Sequence, residues 1–207
     1  MKRNKKVIGL TGTIASGKST AAAYFAQHGG IAVIDADQVG HAVLEDPETV
    51  ETLVKTFGPG ICSWPRRISR SRLGALVFND PEGLSRLNAI THPAICRRIG
   101  QWIREEQEKD DGKPFVIVEA IELLRSELRE MTDEVWVVYA DPAVRCGRMM
   151  QERGLTEEDA RKRIESQWDD GNYRQRADRI LNGNGSREDL WRQCEALYEE
   201  YTGTTGR

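Results

Sequence analysis

The stretch that most constrains this chain is Gly12-Thr13-Ile14-Ala15-Ser16-Gly17-Lys18-Ser19-Thr20. It meets the spacing G-x-x-x-x-G-K-[ST] at every fixed position. Upstream, Val7-Ile8-Gly9-Leu10 is an apolar run suited to a buried parallel strand. Downstream, Ala21 to His28 is helix-forming and is stopped by Gly29-Gly30. Strand, glycine-rich loop and helix in that order aim backbone N–H groups and the positive end of a helix dipole at one place, as a polyphosphate requires. On this pattern Lys18 reaches the β- and γ-phosphates, and the Ser19 hydroxyl takes one position on Mg²⁺. A ligand-free strand-to-helix turn has no use for a lysine directly after the second glycine. The expectation is a nucleoside triphosphate bound through residues 12–20.

The chain has 207 residues, enough for one substantial domain with a small appended lobe. A net charge of −3 speaks against general nucleic-acid binding, so an anionic substrate must be met by local positive charge. Cys62, Cys96, Cys146 and Cys194 are scattered without a C-x-x-C pair. They read as thiols in a reducing compartment rather than a disulfide framework or a zinc site. The basic start, Met1 to Lys6, runs straight into the first strand without a signal-peptide core, and no apolar run approaches membrane-spanning length. A cytoplasmic protein with no membrane partner is expected; its oligomeric state is left open.

Further along, Ile31 to Ile34 is a second strand ending in Asp35-Ala36-Asp37. Helical stretches are expected over Gln38–Leu44, Pro47–Phe57, Leu73–Phe78, Pro81–Ile90 and Ala94–Glu108. A basic loop, Arg66 to Arg72, Asn79-Asp80-Pro81 and Thr91-His92-Pro93 separate some of them. Phe115–Val118, ending at Glu119, and Val135–Tyr139 are the third and fourth strands. Pro142 opens a helix to about Glu152. Thr156 caps another reaching about Trp168, Arg179–Leu181 is a fifth strand, and Ser186 caps a last helix to about Tyr201. Apolar strands alternating with helices predict an α/β fold with a parallel sheet covered on both faces. Five helical pieces between strands two and three exceed one crossover and predict a helical substrate lobe.

The guanine-specifying N-K-x-D is absent, and the D-x-x-G at Asp37 to Gly40 follows Lys18 too closely to serve a GTPase. A small-molecule kinase fits the length, and the arginine-rich stretch from Arg145 to Arg163 suits a lid. Phosphoryl transfer needs a positioned hydroxyl and positive charge on the moving group. Asp37, at the carboxyl end of the second strand, is the candidate to accept the hydroxyl proton. If the strand persists, Asp35 points to the same side. Helix capping explains acids at this place equally well.

At this point the residues resemble the dephospho-CoA kinase family. The resemblance rests on Ile8-Gly9-Leu10-Thr11-Gly12 through Thr20 and Val33-Ile34-Asp35-Ala36-Asp37, with Arg70, Leu73 and Val77-Phe78. Leu87-Asn88-Ala89-Ile90-Thr91-His92-Pro93, Arg163-Ile164, Gln167 and Ala177-Asp178 extend it over nearly the whole chain. It implies ATP- and Mg²⁺-dependent phosphorylation of the ribose 3′-hydroxyl of dephospho-CoA, the last step of coenzyme A synthesis. It also implies a three-layer phosphate-loop kinase core of about 5–37, 113–142 and 177–202, a helical CoA lobe of about 38–112 and a lid of about 143–176. Asp37 is then the base, and Asp35, Asp37, Arg70 and His92 serve the substrate. The chain departs from the family at Thr13, where glycine is common, and at Ala120 to Leu124, which lacks the family's P-L-L-x-E and leaves Glu119 and Glu122 without an assigned role. In the lid the usual second arginine falls on Glu152. Arg148 is therefore the clamp for the transferring phosphate, with Arg153 next. Asn182-Gly183-Asn184-Gly185 resembles the family's Asn-Gly turn, which implies an adenine contact at Asn184. A nucleoside or nucleoside-monophosphate kinase and a non-catalytic nucleotide or CoA sensor are the alternatives.

Overall fold

The computed structural model describes residues 5–63, 67–78, 80–167 and 170–203, with only the backbone of Asp170. Most of the basic start, Arg66 of the basic loop, Asn79, the expected helix end at Trp168 and the chain beyond residue 203 lie outside the described residues. In chain order the elements are β1 (Lys6–Gly12), α1 (Lys18–Gln27), β2 (Val33–Asp35), α2 (Ala36–Val43), α3 (Pro47–Phe57), β3 (Cys62–Ser63), β4 (Arg67–Ile68), α4 (Arg70–Val77) and α5 (Pro81–Glu108). Then follow β5 (Phe115–Glu119), β6 (Glu134–Tyr139), α6 (Pro142–Arg153), α7 (Glu157–Glu165), α8 (Asp170–Gln175), β7 (Arg179–Asn182) and α9 (Arg187–Thr202). Two units divide the chain: Met1–Ile34 with Ile103–Arg207, and Asp35–Trp102.

The first unit is built on a sheet ordered β2-β5-β1-β6-β7, in which the β1–β5, β1–β6 and β6–β7 ladders are parallel. The α/β expectation holds. The chain moves to one side of β1 and later to the other, so the order reverses at β1, and open parallel sheets bind ligands at such a reversal. Side chains alternate along β1. Ile8 and Leu10 enter a core with Phe25, Phe115, Trp136, Leu190 and Cys194, where α1 and α9 cover one face. Between them Gly9 faces the other way, and a Cβ there would overlap Leu123 Cδ2. The end of α9 is tied to the sheet by Glu134, which accepts hydrogen bonds from Lys6 Nζ at 2.6 Å, Trp136 Nε1 at 3.3 Å and the Tyr201 hydroxyl. Burial alone raises its carboxyl, but these donors together outweigh burial and hold it below its ordinary 4.5. A depressed acid stabilises the fold above its unfolded value, and that contribution is lost as pH falls through the folded one. The wild type should therefore lose stability more steeply than Glu134→Gln below pH 4.5. Urea unfolding across pH 3–6 checks this, and parallel curves would refute it.

The second unit is helical, with a core of Leu53, Ile61, Leu73 and Val77 backed by Phe57, Ile68, Leu87 and Ile90. Three expectations need correction here. The basic loop is instead a two-residue ladder, β3 with β4, followed by α4, whose first turn includes Arg70 and Arg72 and whose cap is Ser69. Thr91-His92-Pro93 does not break the chain: α5 is one helix of 28 residues with Pro93 inside it. An interior proline costs about 3 kcal/mol. Ala94, Cys96 and Ile99 just beyond it are buried, and burying Ile99 alone returns about 1.5–3 kcal/mol. Finally, β2 stops at Asp35 and Asp37 lies in the first turn of α2, so strand alternation does not relate the two acids.

Candidate active site

β1 ends at Gly12, where a Cβ would overlap the Val138 carbonyl oxygen and come within 2.8 Å of Ser16 Oγ. Only glycine lets the loop leave the sheet here. Gly17 precedes α1 with φ 104°, in the left-handed region open to glycine, and no side chain caps the helix. The first N–H groups of α1 are left for a ligand, with the dipole behind them. Ala15 adopts φ 58°, a conformation that costs a residue bearing a Cβ about 1–2 kcal/mol. Thr13 Oγ1 and Ser16 Oγ are buried (4% and 1% exposed) without a hydrogen-bond partner among the described residues. Strain and orphaned polar atoms gather in one short loop, as they do at functional sites.

At the carboxyl end of β5, Glu119 stands beside this loop because Leu10 and Glu119 are paired across the β1–β5 ladder. One carboxylate oxygen, Oε1, accepts from Lys18 Nζ at 2.7 Å and from Ser19 Oγ at 2.9 Å. The Lys18 and Glu119 side chains are only 10% and 7% exposed. Lys18 and Ser19 are thus brought together as the motif requires, on an acid to which sequence reasoning gave no role. Its one visible signal is an acid closing a wholly apolar strand. Glu122 is instead an exposed partner of Arg125.

Residues from α6 and beyond hold the loop from outside. The Arg148 guanidinium donates to the carbonyls of Ala15 (3.2 Å), Ser16 (3.4 Å), Gly183 (2.6 Å) and Gly185 (3.0 Å). The expected phosphate clamp is here a strut between two loops. Gln167 Oε1 accepts the Ile14 N–H at 2.8 Å. Asn184 spends its Oδ1 on the Asp141 N–H (2.7 Å), at the start of α6. Arg153 is exposed in the last turn of α6. The Gly183 N–H donates to the Tyr139 carbonyl at 2.6 Å, and a Cβ on residue 183 would overlap the Ser16 carbonyl oxygen. Gly183→Ala should therefore push the phosphate loop aside. We expect at least tenfold weaker ATP binding and about 1–3 kcal/mol lower stability, read by calorimetric titration and thermal unfolding. Wild-type values for both would refute this close contact.

In the helical unit, Asp35 caps α2: Oδ1 accepts from the N–H of Asp37 (2.8 Å) and of Gln38 (3.2 Å). That is the capping role the sequence left open. Asp37, Arg70 and His92 are exposed at the starts of α2 and α4 and midway along α5. Thr20 lies inside α1, its carbonyl accepting from Trp191 Nε1 at 3.3 Å.

Comparison with known proteins agrees with this architecture. Residues 6–189 match the model of the dephospho-CoA kinase family. A dephospho-CoA kinase of Geobacillus kaustophilus is 40% identical over 195 residues, covering 94% of this chain and 96% of that relative. Among solved structures, a Thermus thermophilus protein superposes with a TM-score of 0.78 at 32% identity, covering 95% of this chain and 98% of its own. The dephospho-CoA kinase from Campylobacter jejuni superposes with a TM-score of 0.68 at 28% identity, covering 95% and 97%. With the phosphate loop, its lysine and the sheet order in place, this chain belongs to the dephospho-CoA kinase family, the kinases of the last step of coenzyme A biosynthesis.

Proposed function

We propose that the chain transfers the γ-phosphoryl group of ATP to the ribose 3′-hydroxyl of dephospho-CoA, releasing ADP and coenzyme A, and that residues 12–20, Lys18, Asp37 and Arg148 carry the reaction. The observation that supports this most is the meeting of Lys18 and Ser19 on the buried carboxylate of Glu119, beside a loop with unpaired polar atoms. The loop N–H groups hold the phosphates, and Lys18 exchanges its carboxylate partner for phosphoryl oxygens. Asp37 takes the proton of the attacking 3′-hydroxyl. Asp35 holds the turn that presents Asp37, while Arg70 and His92 bind dephospho-CoA. Arg148 leaves its carbonyls to reach the nucleotide, with Arg153 and Asn184 beside it.

The hydroxyl and carboxylate oxygens of Ser19 and Glu119 suit a hard cation, and they would hold Mg²⁺ together with substrate oxygens. No group of three or more metal-binding side chains occurs among the described residues, which fits an ion bound by few protein ligands. When bound, Mg²⁺ neutralises charge on the β- and γ-oxygens. The proposal has residues 143–176 act as a lid that keeps water from the triphosphate. Limited proteolysis between Arg148 and Arg163 should slow when ATP and dephospho-CoA are both present, and unaltered cleavage would count against closure. The proposed reaction is cytoplasmic, without nucleic-acid or membrane partners, on the strength of the net charge of −3; no helix among the described residues is long and apolar enough to cross a membrane. The test is ADP release from Mg-ATP with and without dephospho-CoA. Stimulation by a nucleoside monophosphate and none by dephospho-CoA would overturn the proposal.

A further inference from the structure

Gln167 lies just past α7, its own N–H bonded to the Ile164 carbonyl at 3.2 Å. Its side chain crosses to a loop 153 positions away, where Oε1 takes the Ile14 N–H at 2.8 Å. The crossing is supported by packing. Ile14 and Ala15, both in the phosphate loop, pack with Cys146 and Met149 of α6, with Ala160 and Ile164 of α7, and with Leu155 between those helices. The loop's own side chains thus anchor the segment that carries Gln167.

Ile14 belongs to the loop that this motif wraps around phosphate oxygens, and its own N–H is taken by Gln167. It lies on the arm leaving β1, away from the first turn of α1, where Lys18 and the helix N–H groups serve the inner phosphates. An oxygen bound near Ile14 therefore belongs to the outermost phosphate. A glutamine amide is planar, with an acceptor and a two-hydrogen donor in one group. Fixing Oε1 on Ile14 also fixes Nε2 beside it, and no acceptor takes the Nε2 hydrogens among the described residues.

We propose that Gln167 is a γ-phosphate-binding residue: Oε1 stays on the Ile14 N–H while Nε2 donates to an oxygen of the terminal phosphate. This rests on the reading of the loop as an ATP site. It makes Gln167 a specificity residue for triphosphate over diphosphate, placed by α7. ADP, which lacks the terminal group, would leave the donor unused.

The test is calorimetric titration of wild type, Gln167→Glu and Gln167→Met with Mg-ATP and Mg-ADP. Glutamate keeps an oxygen acceptor for the Ile14 N–H but replaces the donor by a negative charge. Gln167→Glu should bind ADP within about twofold of wild type and ATP at least about tenfold more weakly. Gln167→Met, with neither donor nor charge, should also lose ATP affinity selectively. Turnover should fall in both. Unchanged ATP affinity in Gln167→Glu, or parallel loss of ATP and ADP in both variants, would overturn the assignment and leave a structural tether. Failure of the wild type to bind ATP would overturn the ATP site as well.

Discussion

Lys18→Ala should lower dephospho-CoA-dependent ADP release by about 10²–10³-fold, the range for removing one preorganised charge or donor from a transition state. The same change should lower the stability of the fold. Glu119 is 7% exposed and would keep only the Ser19 hydroxyl as a donor. Removing one member of a buried ion pair costs about 3–5 kcal/mol, and the surviving hydrogen bond places the cost near the lower end. Urea unfolding, with the slope checked for a two-state transition, measures this loss directly. Glu119→Gln offers the contrast, because its amide oxygen can still accept from both Lys18 and Ser19 and the stability loss should be smaller. If Lys18→Ala were as stable as wild type, the ion pair would not persist in solution. Undiminished ADP release would remove Lys18 from the reaction.

Asp37→Asn should reduce turnover by about 10²–10⁴-fold, the usual contribution of a positioned general base, while Mg-ATP affinity stays within about twofold. Its stability cost is separable. Asp37 is an acid in the first turn of α2, where the dipole interaction is worth about 0.3–1 kcal/mol. Asp35 gives the opposite pattern. It is the cap of that helix, and asparagine caps as well as aspartate, so Asp35→Asn should be nearly neutral in stability, whereas Asp35→Ala costs about 1 kcal/mol. Single-turnover measurement of product formation separates chemistry from product release for both sites. Unchanged turnover in Asp37→Asn would take the proton-accepting role from it.

Where spacing is dictated by a ligand or by a cap, the elements were legible before the fold was known. The phosphate loop between β1 and α1 is one case. The start of α9 is another, where Ser186 and Asp189 bond reciprocally in the capping box that their spacing predicts. The continuous α5 was not legible, because Pro93 reads as a break until the burial of Ala94 and Ile99 is known. The β3–β4 ladder was missed since two-residue strands show no periodicity, and its pairing comes from packing against Ile61 and Leu73. In the site, Glu119 is readable as an acid ending a strand, but its contact with Lys18 depends on the pairing of two strands about a hundred residues apart. The carbonyl contacts of Arg148 and the narrow gap at Gly183 have the same origin, in backbone groups that a sequence does not display.

The two buried hydroxyls of Thr13 and Ser16, with Ala15 held at positive φ between them, concentrate an energetic cost in one short loop. Each unpaired buried polar group costs about 1–3 kcal/mol, and a bound nucleotide is able to relieve that cost as well as add its own contacts. On the proposed function, the melting temperature of the protein should therefore rise with nucleotide concentration. The loop that binds the substrate would then also set how firmly the fold is held.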